Sequence, residues 1–273
     1  EFGFPTTQHE INYLNGNLEL VDLGVISKTK LSGWMRGIAG DVELSFKNVP
    51  KLKNINLSQS TSEQMINGKY LGKKTPQDII NMTCEAVECA VSLGAKDIGI
   101  NAEDASRSDL EFLIKYAKEA KKCGARRFRY CDTLGYEDPQ TTYERIYKIA
   151  RETEMPIEMH FHNDLGMAVA CSVMGARAAI DAGVDAYINT AINGMGERAG
   201  NADLVSCLLA ILKSAGFKQK YSIDPNIDLS KAWKLAKYTA YAFGVPIPIN
   251  QPAVGDNAFA HESGIHADGA LKD

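Results

Sequence analysis

Apolar and polar positions alternate along this chain between two kinds of pattern. Short β-prone runs occur at Glu1–Phe4, Lys30–Trp34, Asn54–Ser58, Asp97–Asn101, Phe128–Cys131, Ile157–Phe161 and Ala186–Thr190. Segments with the spacing of amphipathic helices lie between them, at Pro76–Leu93, Ser108–Cys123, Asp138–Arg151, Leu165–Ala182 and Ala202–Ala215. Leu23-Gly24, Leu93-Gly94, Cys123-Gly124 and Ala182-Gly183 mark helix ends, because glycine takes the left-handed conformation that stops a helix. Thr75 and Pro76 suit the cap and first turn of one helix. The spacing between strand starts is mostly about 30 residues, which predicts repeated βα units and a parallel sheet. The polar stretch Gln59–Lys74 reads as an extended loop over one face. Seven strands are one short of a (β/α)8 barrel. A doubly wound open sheet is the alternative, but no GxGxxG fingerprint follows an early strand. In both folds ligands bind beyond the C-terminal ends of the strands.

Those ends carry polar residues. One strand closes in His160-Phe161-His162-Asn163-Asp164, and alternation turns both imidazoles to the same side. Two imidazoles on one face make half of a metal site, although two polar side chains satisfied by water are the plainer reading. The next strand runs through Asn189-Thr190 into Gly194-Met195-Gly196-Glu197-Arg198-Ala199-Gly200-Asn201. Asn201 suits either a helix N-cap or a metal shell, and Glu197-Arg198 reads by default as an ordinary ion pair. Glu103, Asp104 and Arg107 end another strand, and Asp132-Thr133 a fourth. Each has a bland explanation as a dipole partner or turn cap, but four adjacent strand ends of this kind predict a pocket. The tail Asn250–Asp273 follows the hinge Val245-Pro246-Ile247-Pro248 and is expected to leave the barrel with His261 and His266.

Composition narrows the picture. The 273 residues are 45% apolar and 23% charged, ordinary for a folded globular chain. A formal net charge of -4 argues against a nucleic-acid binder, and no apolar run of about 18 residues suggests a membrane span. Six cysteines without a CxxC pair read as reduced packing residues of a cytoplasmic protein rather than a disulfide framework.

Three long motifs, His160–Gly166 (HFHNDLG), Gly194–Asn201 (GMGERAGN) and Phe259–Lys272 (FAHESGIHADGALK), make the chain resemble the acyl-CoA-condensing TIM-barrel enzymes. These are 2-isopropylmalate synthase, homocitrate synthase and relatives in the HMG-CoA-lyase-like group. The LSGWMRG strand and HADGALKD ending resemble homocitrate synthases most, with 2-isopropylmalate, citramalate and citrate synthases of this fold as neighbours. The resemblance implies a metal-dependent barrel over residues 1–244, and a linker with the start of a C-terminal subdomain over 245–273. It implies a divalent metal (zinc, manganese or magnesium) held by His160, His162 and Asn201. Glu103 and His266 become acid/base candidates, and Arg107, Thr133 and Thr190 substrate-binding ones. The implied reaction condenses acetyl-CoA with a 2-oxo acid, 2-oxoglutarate for a homocitrate synthase. A homodimer whose C-terminal segments cross to the partner is implied as well.

The family's first strand reads roughly DxTLRDGxQ and carries a metal-ligand Asp and a catalytic Arg; here Glu1–Pro5 resembles the second strand instead. The expectation is therefore an open edge beside Glu1–Phe4, an incomplete metal shell and weak activity of these 273 residues alone. A second chain supplying the strand, or a non-catalytic subunit needing a partner, is the competing reading. A retro-aldol lyase is disfavoured, since lyases of this group carry a cysteine in the loop that here reads Gly194–Asn201.

Overall fold

Alternation along each strand decides which side of the sheet carries the core. In the computed structural model, which describes residues 1–26 and 29–272, six strands form one parallel sheet in chain order. They are β1 (Gly33–Arg36), β2 (Asn54–Ser60), β3 (Asp97–Glu103), β4 (Arg127–Asp132), β5 (Ile157–Phe161) and β6 (Ala186–Ile188). Register pairs Ile55 with Ile98, Ile100 with Phe128 and Tyr130 with Met159. These apolar side chains are buried, and the residues between them (Asn56, Ser58, Asn101, Arg129, Glu158) point to the opposite face.

Among the described residues there are ten α-helices, most of which cover the apolar face and the rim. They are α1 (Gln8–Asp22), α2 (Ala39–Asn48), α3 (Glu63–Tyr70), α4 (Pro76–Ser92), α5 (Leu110–Cys123), α6 (Pro139–Thr153), α7 (Ala168–Asp181), α8 (Leu204–Lys213), α9 (Ala232–Phe243) and α10 (Gly264–Lys272). Helix α4 starts where the sequence places it, because Thr75 and Asp78 form a reciprocal capping box and Pro76 needs no N–H partner. Phe161 and Tyr130 stack in the core with centroids 6.0 Å apart. All six cysteines are free thiols. No helix among the described residues is long and apolar enough to cross a membrane.

Two expectations change. The stretch Gln59–Lys74 is not an extended loop: Gln59 and Ser60 finish β2, and Ser62 caps α3 by accepting from the Met65 N–H. Only Ile66 of α3 is buried, so the helix has almost no apolar stripe to betray it. The Glu1–Phe4 run makes one parallel bridge, Phe2 to Gly33, rather than a full strand. Pro5 lacks an N–H and α1 begins at Gln8, which leaves little chain for a ladder. After the Pro-rich hinge, Val254 packs back on Val205 and Ala236. Helix α10 buries none of its residues.

Candidate active site

His160 and His162 leave the end of β5 on the same side, with perpendicular rings whose centroids are 5.1 Å apart. Burial pushes the His160 pKa down to about 4, with the Arg129 charge adding to the effect. Burial, then Arg198, lowers that of His162. Both rings are therefore neutral near pH 7, the form that ligates metals. His162 Nδ1 is buried without a hydrogen-bond partner. Asn201 pairs through its backbone with His162, and its side-chain Nδ2 donates to the Phe161 carbonyl at 3.1 Å. That bond turns Oδ1 the other way, against Gly196, where a Cβ would lie 2.0 Å from it.

The loop that presents Asn201 depends on missing side chains. Gly200 has φ +90, and a Cβ there would sit 2.0 Å from the Gly194 carbonyl oxygen. Arg198 does not pair with its neighbour Glu197 as the sequence suggests. Its Nε donates to Asp164 at 2.8 Å and its Nη2 to the Thr133 carbonyl at 2.6 Å, which ties the loop to the ends of β4 and β5.

Glu103 ends β3 with both carboxylate oxygens held. Ser58 and Ser60 donate from β2 at 2.8 and 2.9 Å, and Lys69 of α3 lies 3.3 Å away. The next residue, Asp104, is fully buried in the left-handed region (φ 61) and pairs with Arg107 at 2.6 Å. Its backbone N–H donates to Thr133 Oγ1 at 2.8 Å, so Thr133 keeps its own O–H to donate. Arg107 faces a separate cavity of about 710 Å³ between α3 and α5, not the central one. His266 is exposed on α10, its ring 6.4 Å from that of His261.

The central cavity, about 580 Å³, is lined by His160, Thr190 and Asn201 at one end and by charged side chains below them. The Arg129 Nη atoms donate to Glu1 at 3.0 and 2.5 Å and to Glu158 at 2.7 Å. Asn189 donates to Glu158 at 2.6 Å, and Arg127 pairs with Asp97 at 2.7 Å. Barrel interiors are usually packed with branched apolar side chains, so a charged interior marks a binding space. Sequence reasoning passed over Arg129 and Glu158. Their signal was a charged residue at an inward, alternating position: Arg129 between Phe128 and Tyr130, and Glu158 between Ile157 and Met159.

Among the described residues, no three His, Cys, Asp or Glu side chains cluster as a metal site. The donor set is instead two neutral imidazoles and the Asn201 amide oxygen. The orphaned His162 Nδ1 and the paired rings fit a borderline divalent cation.

A parallel α/β barrel with a polar interior and a histidine pair at its strand ends defines a class of ligand-binding barrel enzymes. The HMGL-like family model matches residues 18–238, and the chain belongs to that family. It is 58% identical over 273 residues to a citrate (Re)-synthase from Dehalococcoides mccartyi, covering all of this chain and 66% of the relative. It is 41% identical over 245 residues to 2-isopropylmalate synthase 2 from Caldanaerobacter subterraneus, covering 90% of this chain and 60% of the relative. It is 36% identical over 272 residues to homocitrate synthase 1 from Nostoc, covering all of this chain and 67% of the relative. The chain thus spans between 60% and 67% of the length of these relatives. The hydroxymethylglutaryl-CoA lyase structure from Pseudomonas aeruginosa shares the fold, with a TM-score of 0.66 at 14% identity over 99% of this chain and 84% of that one.

Proposed function

We propose that this chain is the catalytic barrel of an acyltransferase that condenses acetyl-CoA with a 2-oxo acid and hydrolyses the thioester. The paired neutral imidazoles beside the Asn201 amide, at the end of a polar cavity, carry this reading. His160, His162 and Asn201 would hold a divalent cation, which when bound supplies Lewis-acid polarisation of the 2-oxo group. Glu103 is positioned by Ser58, Ser60 and Lys69 to exchange a proton at its carboxylate. Thr133 and Thr190 supply hydroxyl donors after β4 and β6, the strands on either side of β5. Arg107, occupied by Asp104, acts through that buried carboxylate on the Asp104–Thr133 contact. The exposed His266 on α10 suits delivery to the site of a second copy of the chain.

The sequence motifs favour 2-oxoglutarate as the oxo acid. The 58% identity to a citrate (Re)-synthase, against 36% to a homocitrate synthase, moves the proposal to oxaloacetate, giving citrate. The full-length protein, supplied with Mn²⁺, acetyl-CoA and a panel of oxo acids, is expected to release CoA thiol with oxaloacetate and to form citrate. Thiol release with 2-oxoisovalerate or 2-oxoglutarate alone would replace oxaloacetate by that acid. No release with any of them would remove the condensing activity.

A further inference from the structure

Among the described residues six non-glycine residues have a left-handed backbone, and only Asp104 of these is fully buried. Leu71 and Glu154 end helices α3 and α6, where that conformation is common. Asp104 ends no helix. It turns the chain from β3 into the single helical turn Ala105–Arg107, and its carboxylate makes no capping bond to the backbone of that turn. The side chain reaches across the strand ends instead. Ser62, the cap of α3, donates to Oδ2, and Arg107 donates to the same oxygen at 2.6 Å and to Oδ1 at 3.0 Å. A left-handed backbone and a buried charge both cost free energy, and such a residue persists where its surroundings over-determine it.

What the turn holds is one peptide group. Its carbonyl, that of Glu103, accepts from the Thr61 N–H at 3.0 Å and from the Thr61 hydroxyl at 2.8 Å. Its N–H, that of Asp104, donates to Thr133 Oγ1 at 2.8 Å. The peptide therefore ties the end of β2 to the end of β4, with the Glu103 side chain at its root. The chain bends off the strand direction at the φ of 61 that follows this N–H. Left to itself, an L-residue there prefers the extended region, which would carry the chain straight on. The Asp104 carboxylate pins the bend to α3 through Ser62 and to the following turn through Arg107. Without that pin the peptide rocks, the N–H leaves Thr133, and the Glu103 carboxylate shifts from its donors Ser58 and Ser60.

We propose that Asp104 is a positioning residue whose carboxylate locks the Glu103–Asp104 peptide, and with it aligns the Glu103 carboxylate and the Thr133 hydroxyl for the reaction. The proposal rests on the condensing-enzyme reading and adds the residue that keeps its proton-exchanging and binding groups in register. Three variants of the full-length protein test it. Asp104→Ala removes the pin, and Asp104→Gly removes it without the steric cost of the left-handed backbone. Asp104→Asn keeps an oxygen where Oδ2 stands, for Ser62 and Arg107, and asparagine tolerates this conformation. Binding of the oxo acid that the wild type prefers, oxaloacetate as expected above, is read by calorimetry with Mn²⁺ and no acetyl-CoA. The Ala and Gly variants should bind it about tenfold more weakly at unchanged stoichiometry, and the Asn variant within about threefold of wild type. A merely structural role would lower the stoichiometry and leave the affinity alone. Wild-type affinity in the Ala and Gly variants, or an Asn variant no better than Gly, overturns the proposal, as does a wild type that binds no oxo acid. Should neither truncation fold, Ser62→Ala removes one partner of the carboxylate and should weaken binding by a smaller factor; wild-type affinity there overturns it equally. Turnover reads the Glu103 half. With acetyl-CoA carrying a trideuterated methyl, the isotope effect on kcat/KM should be larger in the Gly variant than in wild type, because a misaligned carboxylate slows proton removal. An isotope effect equal to that of wild type overturns it. The expected order of binding without thiol release by the wild type would instead refute the condensing activity and leave Asp104 as the positioner of a binding threonine.

Discussion

Glu137 gives a prediction whose size follows from its surroundings. The carboxyl lies just past the end of β4, nearly inaccessible to solvent. Tyr130 and Thr142 each donate to it at 3.1 Å, and Arg145 stands 3.6 Å away. Burial outweighs these partners and raises its pKa from 4.5 to about 7. A carboxyl raised in the folded state contributes stability that is complete below about pH 4 and is lost as pH rises through about 7. Across that window the loss is about 3 kcal/mol, of which about 2.5 kcal/mol falls between pH 5 and pH 8. Glu137→Gln keeps an acceptor for Tyr130 or Thr142 and cannot ionise. Urea unfolding of wild type and variant at pH 5 and pH 8 isolates the effect, because every other titration cancels in the difference. The stability of the Gln variant relative to wild type should rise by about 2.5 kcal/mol from pH 5 to pH 8. A relative stability that stays within about 0.5 kcal/mol at the two pH values would refute the reasoning.

Two further outcomes concern the glycine-rich loop. Gly200→Ala forces a side chain into the left-handed region and against the Gly194 carbonyl, so urea unfolding should show a loss of about 2–4 kcal/mol together with weaker Mn²⁺ binding. Arg198→Ala removes a half-exposed pair and should cost no more than about 1 kcal/mol of stability. It should nevertheless lower Mn²⁺ affinity in calorimetry, because the loop bearing Asn201 loses its tie to Thr133 and Asp164.

Much of the scaffold is legible in the chain because local chemistry and tertiary packing agree there. Helix α4 has its capping box and a strong apolar stripe, and the HFH triplet obeys the period of a strand whose other face is core. Helix α3 escapes because its sequence is polar and holds Gly68 mid-helix, so packing over the strand ends rather than propensity makes it. The shell around Glu103 is hidden for another reason: Ser58 lies 45 residues away in the chain and meets it only through strand register. Arg107 reads as a free cation beside two acids, and only the fold reveals that Asp104 takes it. The charged interior was open to reading at Arg129 and Glu158, each of which alternates with buried apolar neighbours in its strand and has little solvent to face.

The proposed chemistry requires His160, His162 and Asn201 to act together as one cation site. Calorimetric titration of the metal-free full-length protein with Mn²⁺ tests this directly. One ion should bind per chain, and His160→Ala and His162→Ala should each weaken binding by about 100-fold with the circular dichroism spectrum unchanged. Mn²⁺ binding that both variants retain at wild-type strength would contradict the account.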